Sequence, residues 1–103
     1  MTQYYKYIGD IVKAPAEVHT AGTKDLAVKS TSNSYEIPNG TAATYAIETV
    51  SGLTNNDKGR HITLTGTGTD KAATIADGAT FILEDGVTWT AKAGSSIMCS
   101  LTP

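Results

Sequence analysis

The chain has one cysteine, one tryptophan and one phenylalanine among 103 residues. With Cys99 alone, no disulfide can close within the chain, which suits synthesis and assembly in a reducing cytoplasm. No apolar run approaches the roughly 18 residues that a membrane-crossing helix needs. The opening residues, Met1-Thr2-Gln3-Tyr4-Tyr5-Lys6, lack an apolar signal region, so neither a membrane partner nor export is expected. Lys and Arg number 8 against 10 Asp and Glu, for a net charge of -2, and they form no basic patch or tail. Neutralising several phosphates takes clustered cations, so no nucleic-acid partner is expected. Large apolar side chains are sparse, and much of the 40% hydrophobic content is alanine, which buries little area. A domain of this length buries roughly two-thirds of the surface its unfolded chain exposes. Such a thin core points to stabilisation by neighbours.

What the chain has is 17 threonines and 10 glycines. Threonine is stiff at χ1 and fits the half-buried face of a sheet, and the glycines fall between Thr- and Ile-bearing runs. The expected fold is all-β: a single small sandwich or barrel of short antiparallel strands with an extended N-terminal arm. Residues 1–103 read as one domain, with an arm and irregular strands over 1–40 and a β-meander body over 41–103. In the body, Arg60-His61-Ile62-Thr63-Leu64-Thr65 alternates, with Ile62 and Leu64 on one face. Ala73-Thr74-Ile75, Thr80-Phe81-Ile82-Leu83-Glu84, Val87-Thr88-Trp89-Thr90-Ala91 and Ser96 to Leu101 read as further strands. Asp77-Gly78 and Asp85-Gly86 between them carry the hairpin-turn signature. In the last two strands, Val87, Trp89 and Ala91 share a side, as do Ile97, Cys99 and Leu101. Thr44 to Val50 also alternates, with apolar groups on both faces, as a strand at a subunit interface would.

No constellation of catalytic residues emerges. His19 and His61 are far apart and lack neighbouring ligands, so neither a metal site nor any cofactor is expected. Asp77 and Asp85 are explained by their turns and Glu84 by solvent, which leaves no paired carboxylates for acid–base work. Gly66-Thr67-Gly68 lacks the further glycine and the helix start of a dinucleotide fingerprint. Thr54-Asn55-Asn56-Asp57-Lys58-Gly59 lacks the acidic density of an EF-hand loop and reads as a surface loop. An enzyme is therefore not expected. Trp89 and Cys99 read as core residues. Tyr4, Tyr5 and Tyr7, with Ile8, Ile11 and Val12, suit an arm that lies on a neighbour, because tyrosine is enriched at interfaces. Tyr45, on the strand with two apolar faces, joins them as a candidate partner contact.

The pattern from Gly59 to Leu101 runs Ile-Thr-Leu-Thr-Gly-Thr, then Ala-Asp-Gly-Ala-Thr-Phe-Ile-Leu-Glu-Asp-Gly-Val-Thr-Trp-Thr, then Ala-Gly-Ser-Ser-Ile. It resembles the β-modules of tailed-bacteriophage structural proteins, among them capsid decoration (cement) proteins, head fibres and tail-fibre domains. The resemblance covers about two-fifths of the chain and carries no residue over position by position. It implies a virion protein, and the length suits a decoration protein best. Such a protein would be a homotrimer on the major capsid protein, tying capsid subunits together through several weak contacts at once. The alternatives are a head-fibre or tail-fibre component (adaptor included), or a glycan-binding β-sandwich.

Overall fold

The computed structural model describes residues 16–102. Eight short strands account for most of the regular structure: β1 (Glu17–Val18), β2 (Asp25–Ala27), β3 (Ser34–Ile37), β4 (Thr49–Ser51), β5 (His61–Gly66), β6 (Thr74–Ile75), β7 (Trp89–Thr90) and β8 (Ser96–Ser100). Among the described residues a single 3-10 turn, Asn55–Asp57, stands between β4 and β5. Among the described residues, no helix is long and apolar enough to cross a membrane. The strand-rich, nearly helix-free character expected from the Thr and Gly content is present.

The expectation of antiparallel strands needs correction. The main sheet has the order β1-β3-β5-β8, and only its last pair, β5 with β8, is antiparallel. The β1–β3 and β3–β5 pairs are parallel, as is the separate β2–β4 pair. The reason is the path of the chain. From β1 to β5 it alternates between the two sheets, odd-numbered strands in one and even-numbered strands in the other. A parallel pair needs a crossover of about a dozen residues, usually a helix. Here each crossover is a strand of the opposite sheet, so parallel pairing arises without helices. The main sheet therefore joins residues from both halves of the chain.

The expected meander also differs in its turns. β6 pairs antiparallel with β7, but residues 76–88 between them form one long excursion. Thr80–Glu84 is not a strand, and the two Asp-Gly turns do not join paired strands. The aspartates do bind local backbone as expected. Leu83 N–H donates to Asp77 Oδ1 at 2.7 Å, and Val87 N–H to Asp85 Oδ1 at 2.9 Å. Gly86 takes the left-handed φ of 68° that this second turn requires. The excursion is pinned by Phe81, which is buried, while its neighbour Ile82 stays 84% exposed. Thr44 to Val50 is likewise not one strand: Ala46 bridges to Thr74, and β4 begins only at Thr49.

The core follows from the register. Tyr35 lies beside Leu64, and Leu64 beside Ile97, giving one apolar row across three strands. Ile62 beside Cys99 forms the next row. Ile62 and Leu64 are buried, as their alternation predicts, and Leu26, Val28, Ile37, Ile47 and Ile75 close over them. At Gly66 the backbone of Ala91 comes so close that a Cβ would collide with its carbonyl group. Glycine lets the end of β5 meet residues 91–93, where Gly68 N–H donates to Ala91 O (3.1 Å) and Ala93 N–H to Gly68 O (2.9 Å). From there Ala91 N–H binds Ala73 O and Ile47 N–H binds Thr74 O, so backbone bonds run from sheet to sheet around the core.

Candidate interaction surface

Among the described residues, the two histidines do not converge with other potential metal ligands. His19 is buried, and its Nε2 lies 2.8 Å from Thr23 O, so the proton sits on Nε2 and points at a backbone acceptor. The ring stacks on Tyr45 with centroids 5.9 Å apart. His61 is exposed at the start of β5. Among the described residues, no three His, Cys, Asp or Glu side chains gather as metal ligands. Asp25 accepts from the hydroxyls of Ser51 and Thr49, which hold its carboxyl below the usual range.

A polar clamp escaped the sequence reading. Asp57, in the 3-10 turn, accepts from Thr54 N–H at 2.8 Å and from Arg60 Nη1 at 3.0 Å. The Thr54 amide first, and then Arg60, hold its carboxyl below the usual range. Arg60 also donates from Nε to Asn33 Oδ1 (2.8 Å) and from Nη2 to Lys29 O (2.8 Å) and Ser32 O. The same loop receives the Tyr35 hydroxyl, which accepts from Lys29 N–H and donates to Ser32 O, both at 2.9 Å. One guanidinium and one phenol thus fasten residues 29–33 to the main sheet. Spacing could have hinted at Asp57 and Arg60, three apart, but nothing in the sequence brings Asn33 to them.

The distinctive surface lies along β8. An open depression of about 1000 Å³ runs beside this strand and under the excursion, between Phe81, Leu83 and Val87 on one side and Ile97 and Cys99 on the other. Trp89 is half-buried here, packed on the core with Nε1 donating to Ser95 Oγ at 2.8 Å. Burial pushes the Cys99 thiol above its usual range. Three large apolar side chains stand in solvent around the depression: Ile82, Val87 (61% exposed) and Met98 (70% exposed). Val87 therefore does not share the burial of Trp89 and Ala91. The charged lining is Glu84 and Asp85, with no Lys, Arg or His.

β8 is also an edge strand among the described residues. Leu101 N–H donates to Arg60 O and Gly66 N–H to Ser95 O, both at 2.8 Å, which fixes the phase of the ladder. Odd-numbered residues of β8 bond to β5. The N–H and C=O groups of Ser96, Met98 and Ser100 consequently turn outward, and no described residue pairs with them.

Of the partner contacts expected from sequence, Tyr4, Tyr5, Tyr7, Ile8, Ile11 and Val12 lie outside the described residues. Tyr45 is half-buried; its hydroxyl donates to Pro38 O at 2.9 Å, and burial raises its pKa. The sequence reading did not find the surface along β8. Its signal was present in Ile82 and Val87, which flank a turn with no buried face to receive both.

Comparison with protein-family models, curated proteins and solved structures finds no match.

Proposed function

We propose that this chain is a structural protein of a bacteriophage particle, a capsid decoration protein that acts as a homotrimer on the major capsid protein. The body is taken as a small β-barrel, its sheets linked end to end by the backbone bonds from Gly68 to Ile47. The observation that carries the reading is the apolar, open-edged surface along β8. Ile82, Val87 and Met98 together form the kind of exposed apolar patch that marks a protein contact in a soluble chain. The patch lies beside a strand whose outward backbone groups pair with no described residue, an arrangement that invites strand pairing. The exposed apolar surface supports contact with another protein as the activity. Decoration would be mechanical: each copy contributes a modest contact, and a trimer joins three of them into one tight attachment. The Thr- and Gly-rich pattern of residues 59–101 supplies the link to phage particles.

The test has two parts. Light scattering on the purified chain should give a trimer, and electron microscopy of particles incubated with it should show density at regular positions between capsid subunits. A monomer that leaves particles bare at high concentration would overturn the reading.

A further inference from the structure

We propose that Asn39–Gly40 is a deamidation site that the fold holds closed, and that its conversion to aspartate or isoaspartate unlatches the segment after β3 from the segment after β5.

The chemistry starts from the dipeptide. Of the asparagines Asn33, Asn39, Asn55 and Asn56, only Asn39 is followed by glycine. Glycine has no side chain to hinder its own nitrogen, and its backbone reaches conformations closed to other residues. The Gly40 nitrogen can attack Asn39 Cγ. A bond from this nitrogen to Cγ forms, the bond from Cγ to Nδ2 breaks, and ammonia leaves with the proton that Gly40 N gives up. Water then opens the cyclic imide. Cleavage between Gly40 N and Cγ leaves aspartate, and cleavage between Gly40 N and the main-chain carbonyl carbon leaves isoaspartate. No oxidant or reductant enters.

The folded chain opposes ring closure. Gly40 N–H donates to Lys71 O at 2.9 Å. Asn39 Oδ1 accepts from Thr69 N–H and Nδ2 donates to Thr69 Oγ1, both at 2.8 Å. The attacking nitrogen and the amide it attacks are both tied to residues 69–71. Thr67 N–H donates to Ile37 O (3.1 Å) and the Tyr45 hydroxyl to Pro38 O (2.9 Å), which holds the same segment. Packing also dictates the glycine. A Cβ on Gly40 would collide with Ala43 O, and one on Gly68 would stand 2.5 Å from Asn39 Oδ1. Gly40 is present for space, and the labile dipeptide comes with it. Ring closure needs the three bonds of Asn39 and Gly40 to residues 69–71 released together. At roughly fivefold per bond, folding slows the reaction about 100-fold.

The product does not latch again. Nδ2 of Asn39 lies 3.4 Å from Asp70 Oδ1. Aspartate at position 39 sets a second carboxylate there, and like charges repel at this range. Lys71 Nζ binds the other oxygen of Asp70 at 3.3 Å and offsets the repulsion only in part. Isoaspartate lengthens the main chain by a methylene, for which the tight seat of Gly40 has no room.

The experiment holds the full-length chain at mildly alkaline pH, folded in buffer or unfolded in guanidinium chloride. Mass spectrometry of its peptides follows the amide-to-acid exchange at each asparagine. Asn39 should lead in the unfolded chain and be slowed about 100-fold in the folded one. Thr69→Ala, which removes the hydroxyl that accepts from Nδ2, should speed the folded reaction several-fold. A rate at Asn39 no higher than at the other asparagines in the unfolded chain, or equal rates folded and unfolded, would overturn the inference. Unlatching is read by hydrogen exchange at the Gly40 amide. Exchange should rise several-fold in Asn39→Asp, and the double variant Asn39→Asp, Asp70→Asn should recover part of the protection. Unchanged protection in Asn39→Asp would refute the unlatching; should that variant not fold, the same amide is followed in unaltered chains aged to partial conversion, with the same refuting result.

Discussion

Replacing Tyr35 with Phe tests the idea that a single hydroxyl anchors the loop at residues 29–33. Tyr35 is 2% exposed, and its ring fills the row beside Leu64. Tyr35→Phe keeps the ring and removes only the oxygen. Ser32 O and Lys29 O keep Arg60 Nη2 as a donor, so those carbonyls stay paired. Lys29 N–H loses its one acceptor, the phenol at 2.9 Å. The lost hydroxyl made two part-buried bonds, and at a net of about 0.5–1.5 kcal/mol each their loss costs about 1–3 kcal/mol. At a central value of about 2 kcal/mol, and roughly 4–8 °C per kcal/mol for a domain of this size, Tm should fall by about 8–16 °C. The assay is thermal unfolding by circular dichroism at fixed protein concentration, because self-association makes Tm concentration-dependent. The loosened loop should also be cut faster by trypsin after Lys29. Tyr45→Phe is the comparison: its hydroxyl donates to Pro38 O from a half-buried position that water can reach. A net cost of about 0.5–1.5 kcal/mol is expected there. If Tyr35→Phe destabilised no more than Tyr45→Phe, the anchoring role would be refuted.

Further outcomes follow from other sites. Gly66→Ala should cost about 3 kcal/mol or more, because the colliding atoms are the Ala91 backbone and cannot swing aside. Gly78→Ala meets nothing within 4 Å and has no left-handed φ, so it should raise stability by about 0.4–1 kcal/mol through the unfolded chain; urea titration of both measures the contrast. The folded-state pKa of Asp57 lies below its unfolded value of about 3.9. Its stabilising contribution is therefore complete above that value and is lost as pH falls through the lowered one. Tm measured from neutral to acid pH should drop in that range, and Asp57→Asn should lower Tm at neutral pH while making the acid drop shallower. Cys99, with its thiol pKa raised by burial, should react with a thiol reagent at mildly alkaline pH far more slowly in the folded chain than in urea.

How much was legible in the sequence differs by level. The alternation around Ile62 and Leu64 carried its own answer, because a strand with one buried face admits a single reading. Ile97, Cys99 and Leu101 were legible for the same reason. Strand direction was not. Threonine and glycine fix that the chain forms short strands, but nothing in Ser34–Ile37 states that its neighbour will be His61–Gly66 and parallel. That follows from a crossover through β4, a non-local event. The Asp-Gly turns were correct as turns and misleading as hairpins. Asp77 reaches six residues ahead to Leu83, which opens the turn into an excursion that β6 and β7 close only at its base. The exposed apolar surface along β8 was missed because Ile82 and Val87 were assigned to strand faces that the excursion never forms. The clamp of Arg60 on Asn33, Lys29 and Ser32 is invisible in sequence because those partners are about thirty positions away.

The alternation of the first five strands between two sheets bears on how the molecule is made and unmade. Among these five no two consecutive strands pair: β1 waits for β3, β3 for β5, and β2 for β4. Segments must be threaded past one another before any pairing is rewarded, so assembly should be slow, on the millisecond-to-second scale of strand-dominated, non-local topologies. The same interlock works in reverse. A pull on the two ends loads β1 and β8, the opposite edges of one sheet, so the inner β3–β5 ladder is reached only after an outer one gives.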